Sequence, residues 1–78
     1  MYKVKVFVTL RESILDPEGA AVKGALHKLG FGHVSDVRMG KVIEMTVASR
    51  EGIDEMCETL LVNTVMEDYT YEIEEMQP

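Results

Sequence analysis

An α+β fold is expected for this chain of 78 residues, because two-residue and 3.6-residue hydrophobic periods alternate along it and each helical stretch has its own start or stop signal. In order these read βαββαβ. This is the split βαβ or ferredoxin-like arrangement, in which right-handed crossovers set two helices on one face of a four-stranded antiparallel sheet.

The first strand shows Val4, Val6, Val8 and Leu10 at every second position with Lys3, Lys5 and Thr9 between them, the signature of one buried face. Phe7 interrupts the polar side. Asp16-Pro17-Glu18 then starts a helix, since an Asp side chain accepts from unpaired backbone N–H groups and Pro at the first helical position gives up a donor that had no partner. The helix runs from about 17 to 29, with Val22, Ala25, Leu26 and Leu29 as its apolar stripe and Gly30 as a left-handed stop.

A second strand is expected from Val34 to Met39 and a third from Val42 to Val47, with Gly40 in a hairpin turn between them and Ile43, Met45 and Val47 pointing inward. Ile53, Met56, Cys57, Leu60 and Leu61 fit the i, i+3, i+4, i+7, i+8 template of a second helix, opposite Asp54, Glu55 and Glu58. Asn63 follows as a left-handed cap. In the last strand Tyr69, Tyr71 and Ile73 alternate with Thr70, Glu72 and Glu74; as a neighbour of the first strand it brings Glu72 and Glu74 opposite Lys5 and Lys3. One domain spans residues 1 to 78, and its second sheet face, carrying Phe7 and Val42, stays open for self-association.

Composition excludes several functions. A net charge of −6 without a basic stripe opposes a phosphate backbone, so nucleic acid is not an expected ligand. No stretch approaches the ~20 apolar residues of a membrane span. Nor does the start of the chain read as a secretory signal, and the expected compartment is the cytoplasm. A single cysteine cannot form an internal disulfide, so so small a core is expected to gain stability by self-association or from a partner.

No residue grouping reads as a catalytic centre. Cys57 lies on the apolar stripe of its helix with no His or Lys at helical spacing to activate it, and is read as core. His27 and His33 have no zinc-like or iron-like spacing and are read as surface residues. Gly30-Phe31-Gly32 follows a helix, whereas a phosphate loop precedes one. Glu67, Asp68, Glu72, Glu74 and Glu75 lie along a solvated strand and turn. Arg38-Met39-Gly40-Lys41, with a cation on each side of Gly40, and the loop at Arg11 are the segments best placed to touch a partner.

Taken together, Lys3-Val4-Lys5-Val6 with Leu10, Leu15-Asp16-Pro17-Glu18-Gly19, Asp36 to Lys41, and Cys57 to Asn63 with Glu67 and Tyr69 resemble the small PurS-type subunits of phosphoribosylformylglycinamidine (FGAM) synthase. The resemblance covers nearly the whole chain. It implies a non-catalytic subunit, a homodimer or tetramer, which bridges a glutaminase subunit and a large synthetase subunit and assists ammonia passage. It also implies that ATP and magnesium belong to the synthetase partner, with no cofactor on this chain alone. Arg11, Arg38, Gly40, Lys41 and Asn63 are then the candidate partner-binding residues, Phe7 and Val42 the candidate self-association residues, and Asp16 and Pro17 the helix start. A regulatory module binding an amino acid or nucleotide between protomers is the alternative on fold analogy.

Overall fold

The computed structural model describes residues 1–76. Its elements are β1 (Tyr2–Leu10), α1 (Pro17–Lys28), β2 (Gly40–Val47), α2 (Ile53–Met56), which runs on into a π-helical turn at Cys57–Leu61, and β3 (Glu67–Glu75). The sheet has three strands in the order β2-β1-β3, all antiparallel.

Period-two patterning sets the register. Val4, Val6 and Val8 oppose Met45, Ile43 and Lys41 on β2, and Ile73, Tyr71 and Tyr69 on β3. The three valines are fully buried, each contributing about 1.5–3 kcal/mol by leaving water, and with Ile53, Cys57 and Val62 they form the core. Lys3 and Lys5 do oppose Glu74 and Glu72, as expected. Their ion pairs go the other way: both ammonium groups approach Glu44 Oε1, at 3.7 and 3.8 Å. Exposed pairs of this kind are worth about 0–1 kcal/mol.

The expected edge strand at 34–39 does not form, and the sheet is one strand short of the four-stranded arrangement. Side chains take up hydrogen bonds that a strand would have given to a neighbour: Met39 N donates to Asp16 Oδ2 (2.8 Å) and the His27 ring donates from Nε2 to the Val34 carbonyl (2.7 Å). Gly40 is accordingly no hairpin turn. It is the first residue of β2, opposite Thr9, where a Cβ would strike the Val8 carbonyl.

Nor do both helices cover the sheet. α1 begins and ends as its sequence dictates, with Gly19 N donating to Asp16 Oδ1 (3.0 Å) at one end. At the other, Gly30 has φ of 96°, with Phe31 N donating to the Leu26 carbonyl and Gly30 N to that of His27. Yet α1 supplies no side chain to the core, and Leu29 on its apolar stripe is 73% exposed. The radius of gyration is 16.1 Å, against roughly 11–12 Å for a compact chain of this length.

The second helix also departs from its template. Val62 N donates to the Cys57 carbonyl, an i→i+5 bond that widens the turn. Ile53, Cys57 and Val62 thereby face the sheet, while Leu60 turns out and is 83% exposed. Asn63 has no positive φ, and the helix leaves through an extended Val62 rather than a left-handed cap.

Candidate docking surface

One end of the molecule collects most of the residues singled out above. The loop after β1 carries Arg11, whose guanidinium donates to the Thr64 carbonyl and lies 3.6 Å from Asp68 Oδ1, while Arg11 N donates to the Met66 carbonyl. This ties the β1–α1 loop to the turn before β3. Asn63 builds that turn: its Oδ1 accepts from Val65 N (3.2 Å), its carbonyl from Met66 N and Glu67 N, and its own N–H donates to Glu67 Oε1 (2.8 Å).

Arg38 is committed inside the chain. Its guanidinium donates to the carbonyls of Leu10 (2.8 Å) and Arg11 (2.9 Å), and more weakly to Ile14 (3.4 Å). One planar fork therefore closes the whole β1–α1 loop. Asp16 completes the joint, holding the start of α1 through Gly19 and the start of β2 through Met39. These donors hold its carboxyl below the ordinary value of 3.8, the Gly19 N–H most, then that of Met39, with the Arg38 charge assisting against partial desolvation. Pro17 stands at the first helical position as expected.

Lys41, by contrast, projects at the start of β2 beside Leu10, Asp16 and Glu67 on the rim of a shallow concavity. Phe7 and Val42 are cross-strand partners on the face away from the core; Val42 is 54% exposed. They lie apart from the Arg11–Arg38 joint, further toward the middle of the sheet, with the pairs Val8–Lys41 and Thr9–Gly40 intervening. The site residues thus fall into two groups, a backbone-bound joint and an exposed apolar pair, with Lys41 between them.

A cluster that the sequence reading passed over lies under the second helix. Tyr69 OH donates to Asp54 Oδ1 (3.2 Å), with Glu58 Oε1 at 3.5 Å, and Tyr71 OH donates to Asp54 Oδ2 (3.1 Å). Burial, the bond to Asp54 and the Glu58 charge push Tyr69 up to about 12. Tyr71 is raised first by its bond to Asp54. The spacing was visible: tyrosines at i, i+2 share a strand face and acids at i, i+4 share a helix face. Cys57 lies beneath, its thiol raised by burial and then by the charges of Asp54 and Glu58, which opposes thiolate formation. Among the described residues no group of His, Cys, Asp and Glu could hold a metal ion.

Residues 3–75 match the family model described as PurS: phosphoribosylformylglycinamidine (FGAM) synthase. The chain belongs to the PurS family of FGAM synthase subunits. The family's Bacillus subtilis member is 53% identical, over 97% of this chain and 96% of its own length. A Bacillus subtilis PurS structure superimposes with a TM-score of 0.89 at 54% identity, covering 96% of this chain and all of that one. A chain in the structure of PurLQS from Thermotoga maritima is 28% identical with a TM-score of 0.80, over 94% of this chain and 96% of its own. Family membership thus accounts for the order of the motifs from Lys3 to Tyr69.

Proposed function

We propose that this chain is the non-catalytic bridging subunit of an FGAM synthase complex in purine biosynthesis, acting in the cytoplasm. It self-associates, binds a glutaminase subunit and a large synthetase subunit, and assists the transfer of ammonia released from glutamine. The synthetase, holding ATP and magnesium, then converts formylglycinamide ribonucleotide to formylglycinamidine ribonucleotide. The observation that carries this reading is the likeness to a chain of the PurLQS structure.

The geometry supports it. Arg11, Arg38, Asp16 and Asn63 spend their polar groups on backbone, fixing the shape of a protruding joint rather than activating a substrate. Rigid presentation lowers the ordering cost of docking. Lys41 supplies an exposed charge beside that joint, and Phe7 with Val42 an apolar patch for another copy.

Mixing the purified chain with its glutaminase and synthetase, with ADP, magnesium and glutamine, is expected to give one larger species on a sizing column. Separate elution under every condition would refute the bridging role. Lys41→Glu is expected to weaken assembly while leaving the free chain folded.

A further inference from the structure

The second helix holds one residue more than an α-helix over the same span needs. Ile53, Met56, Cys57, Leu60 and Leu61 fit the apolar face of an ordinary α-helix, yet the structure seats Ile53, Cys57 and Val62 in the core and leaves Leu60 83% exposed. The surplus residue is stored in the bond from Val62 N to the Cys57 carbonyl, 2.9 Å long. Such turns are rare, occur as single bulges within α-helices and gather at functional sites. What keeps this one wide lies just beyond it. Val62 leaves in extended conformation, and Asn63 then donates to Glu67 Oε1 (2.8 Å) and accepts from Val65 N on its side chain and from Met66 N and Glu67 N on its carbonyl. The Thr64 carbonyl accepts the Arg11 guanidinium, and Glu67 is already paired with Leu10 in the sheet. If the Cys57 carbonyl accepted from Leu61 N instead, as in an α-helix, Leu61 would take the place of Val62 and Val62 would pass into this turn. Its far end is fixed by β3, so the bonds of Asn63 and Thr64 would be lost.

We propose that α2 and its π-helical turn form a two-register switch, latched in the wide register by the Arg11 guanidinium on the Thr64 carbonyl. Release of the latch lets the turn take up Val62, whereupon the helix tightens, Leu61 enters the core and Leu60 rotates toward the sheet. The two forms oppose comparable terms: leucine burial and regular helix bonds in one, the hydrogen bonds of the turn in the other. A packed element with two discrete seatings is the kind of part that converts a local contact into a change of surface. The trigger is a competitor for the guanidinium. Arg11 stands on the exposed joint with its side chain 46% exposed, and a carboxylate that took both arms of its fork would outweigh a bond to one neutral carbonyl. A contact made at the joint is thereby read out at Leu60. The trigger, though not the switch, rests on the docking proposed above.

In the ¹³C,¹⁵N-labelled chain, NMR couplings across hydrogen bonds should link the Cys57 carbonyl to the Val62 amide. Arg11→Met keeps the stem of the side chain and loses the guanidinium. In that variant the population in which the Leu61 amide takes over the Cys57 carbonyl should rise about tenfold, the worth of one charge-assisted hydrogen bond, and relaxation dispersion should show one common exchange rate from Cys57 to Glu67. Deleting Val62 should lock the tight register, with Cys57 coupled to Leu61, the Leu60 methyl groups screened from a soluble paramagnetic agent and the β1–β3 pairing unchanged. Arg11→Met without exchange in that span would overturn the switch, as would helix and turn exchanging at unequal rates, or a Val62 deletion whose Cys57 carbonyl bonds to the Asn63 amide. Should the deletion fail to fold, Arg11→Met decides alone. Switching in a chain that never joins the two enzymes on the sizing column would instead remove the docking trigger and leave the switch standing.

Discussion

Asp16 and Met39 are joined across 23 positions of sequence by one hydrogen bond of 2.8 Å, and the same carboxylate caps α1 through Gly19. A single short side chain thus sets the angle between the first helix and the second strand. With its folded pKa held below 3.8, Asp16 stabilises the fold above that value, and the contribution is lost as pH falls through 3.8 toward the lower folded value. Asp16→Asn should flatten the acid limb of a stability profile measured by denaturant melts between pH 6 and 2. Asp16→Ala should lower the melting temperature by roughly 4–8 °C at neutral pH.

Arg38→Lys should fail to replace Arg38, because an ammonium group cannot span the Leu10, Arg11 and Ile14 carbonyls as the planar fork does. We expect a loss of about 1–3 kcal/mol for Arg38→Ala and a smaller loss for the lysine variant. Hydrogen exchange should quicken at the Ile14 amide in both, with the β1 core amides unchanged.

The tyrosine pair gives a signal at high pH. Tyr69 should deprotonate near pH 12 in the folded chain, read by NMR of ring-labelled tyrosine. A raised folded value means that its stabilisation is complete below pH 10 and is lost as pH rises toward 12. Asp54→Asn should lower both tyrosines, removing the leading cause of the rise at Tyr71 and, after burial, the second at Tyr69.

Cys57 should resist a thiol reagent in the native chain and react once denaturant exposes it. Cys57→Ser places a hydroxyl among Val4, Val6 and Ile53 and should cost about 1–3 kcal/mol. Coupled synthase activity should survive Cys57→Ala, and its loss in a folded variant would argue for a chemical role.

The strands that formed were legible because a two-residue period fixes a face: Val4, Val6 and Val8 went inward with Ile43, Met45 and Ile73 beside them. The strand that failed, 34–39, was expected from local propensity alone. What decided it was a carboxylate at Asp16, 23 residues before Met39, and a ring at His27, seven before Val34, each taking up one of its backbone groups. A 3.6-residue template likewise cannot register an i→i+5 turn, so Leu60 was placed in the core that it leaves. Of the site, Asp16 and Pro17 were plain from capping chemistry. Arg38 was found as a residue but its intrachain contacts were not, because no local pattern shows that its guanidinium donates to three carbonyls.

β3 is an outer strand, and along it Asp68, Glu72, Glu74 and Glu75 stand exposed. Two such borders laid side by side would repel, and a row of carboxylates is a poor template for an incoming strand. Growth of the sheet into a ribbon is therefore discouraged on that flank by the charge it carries.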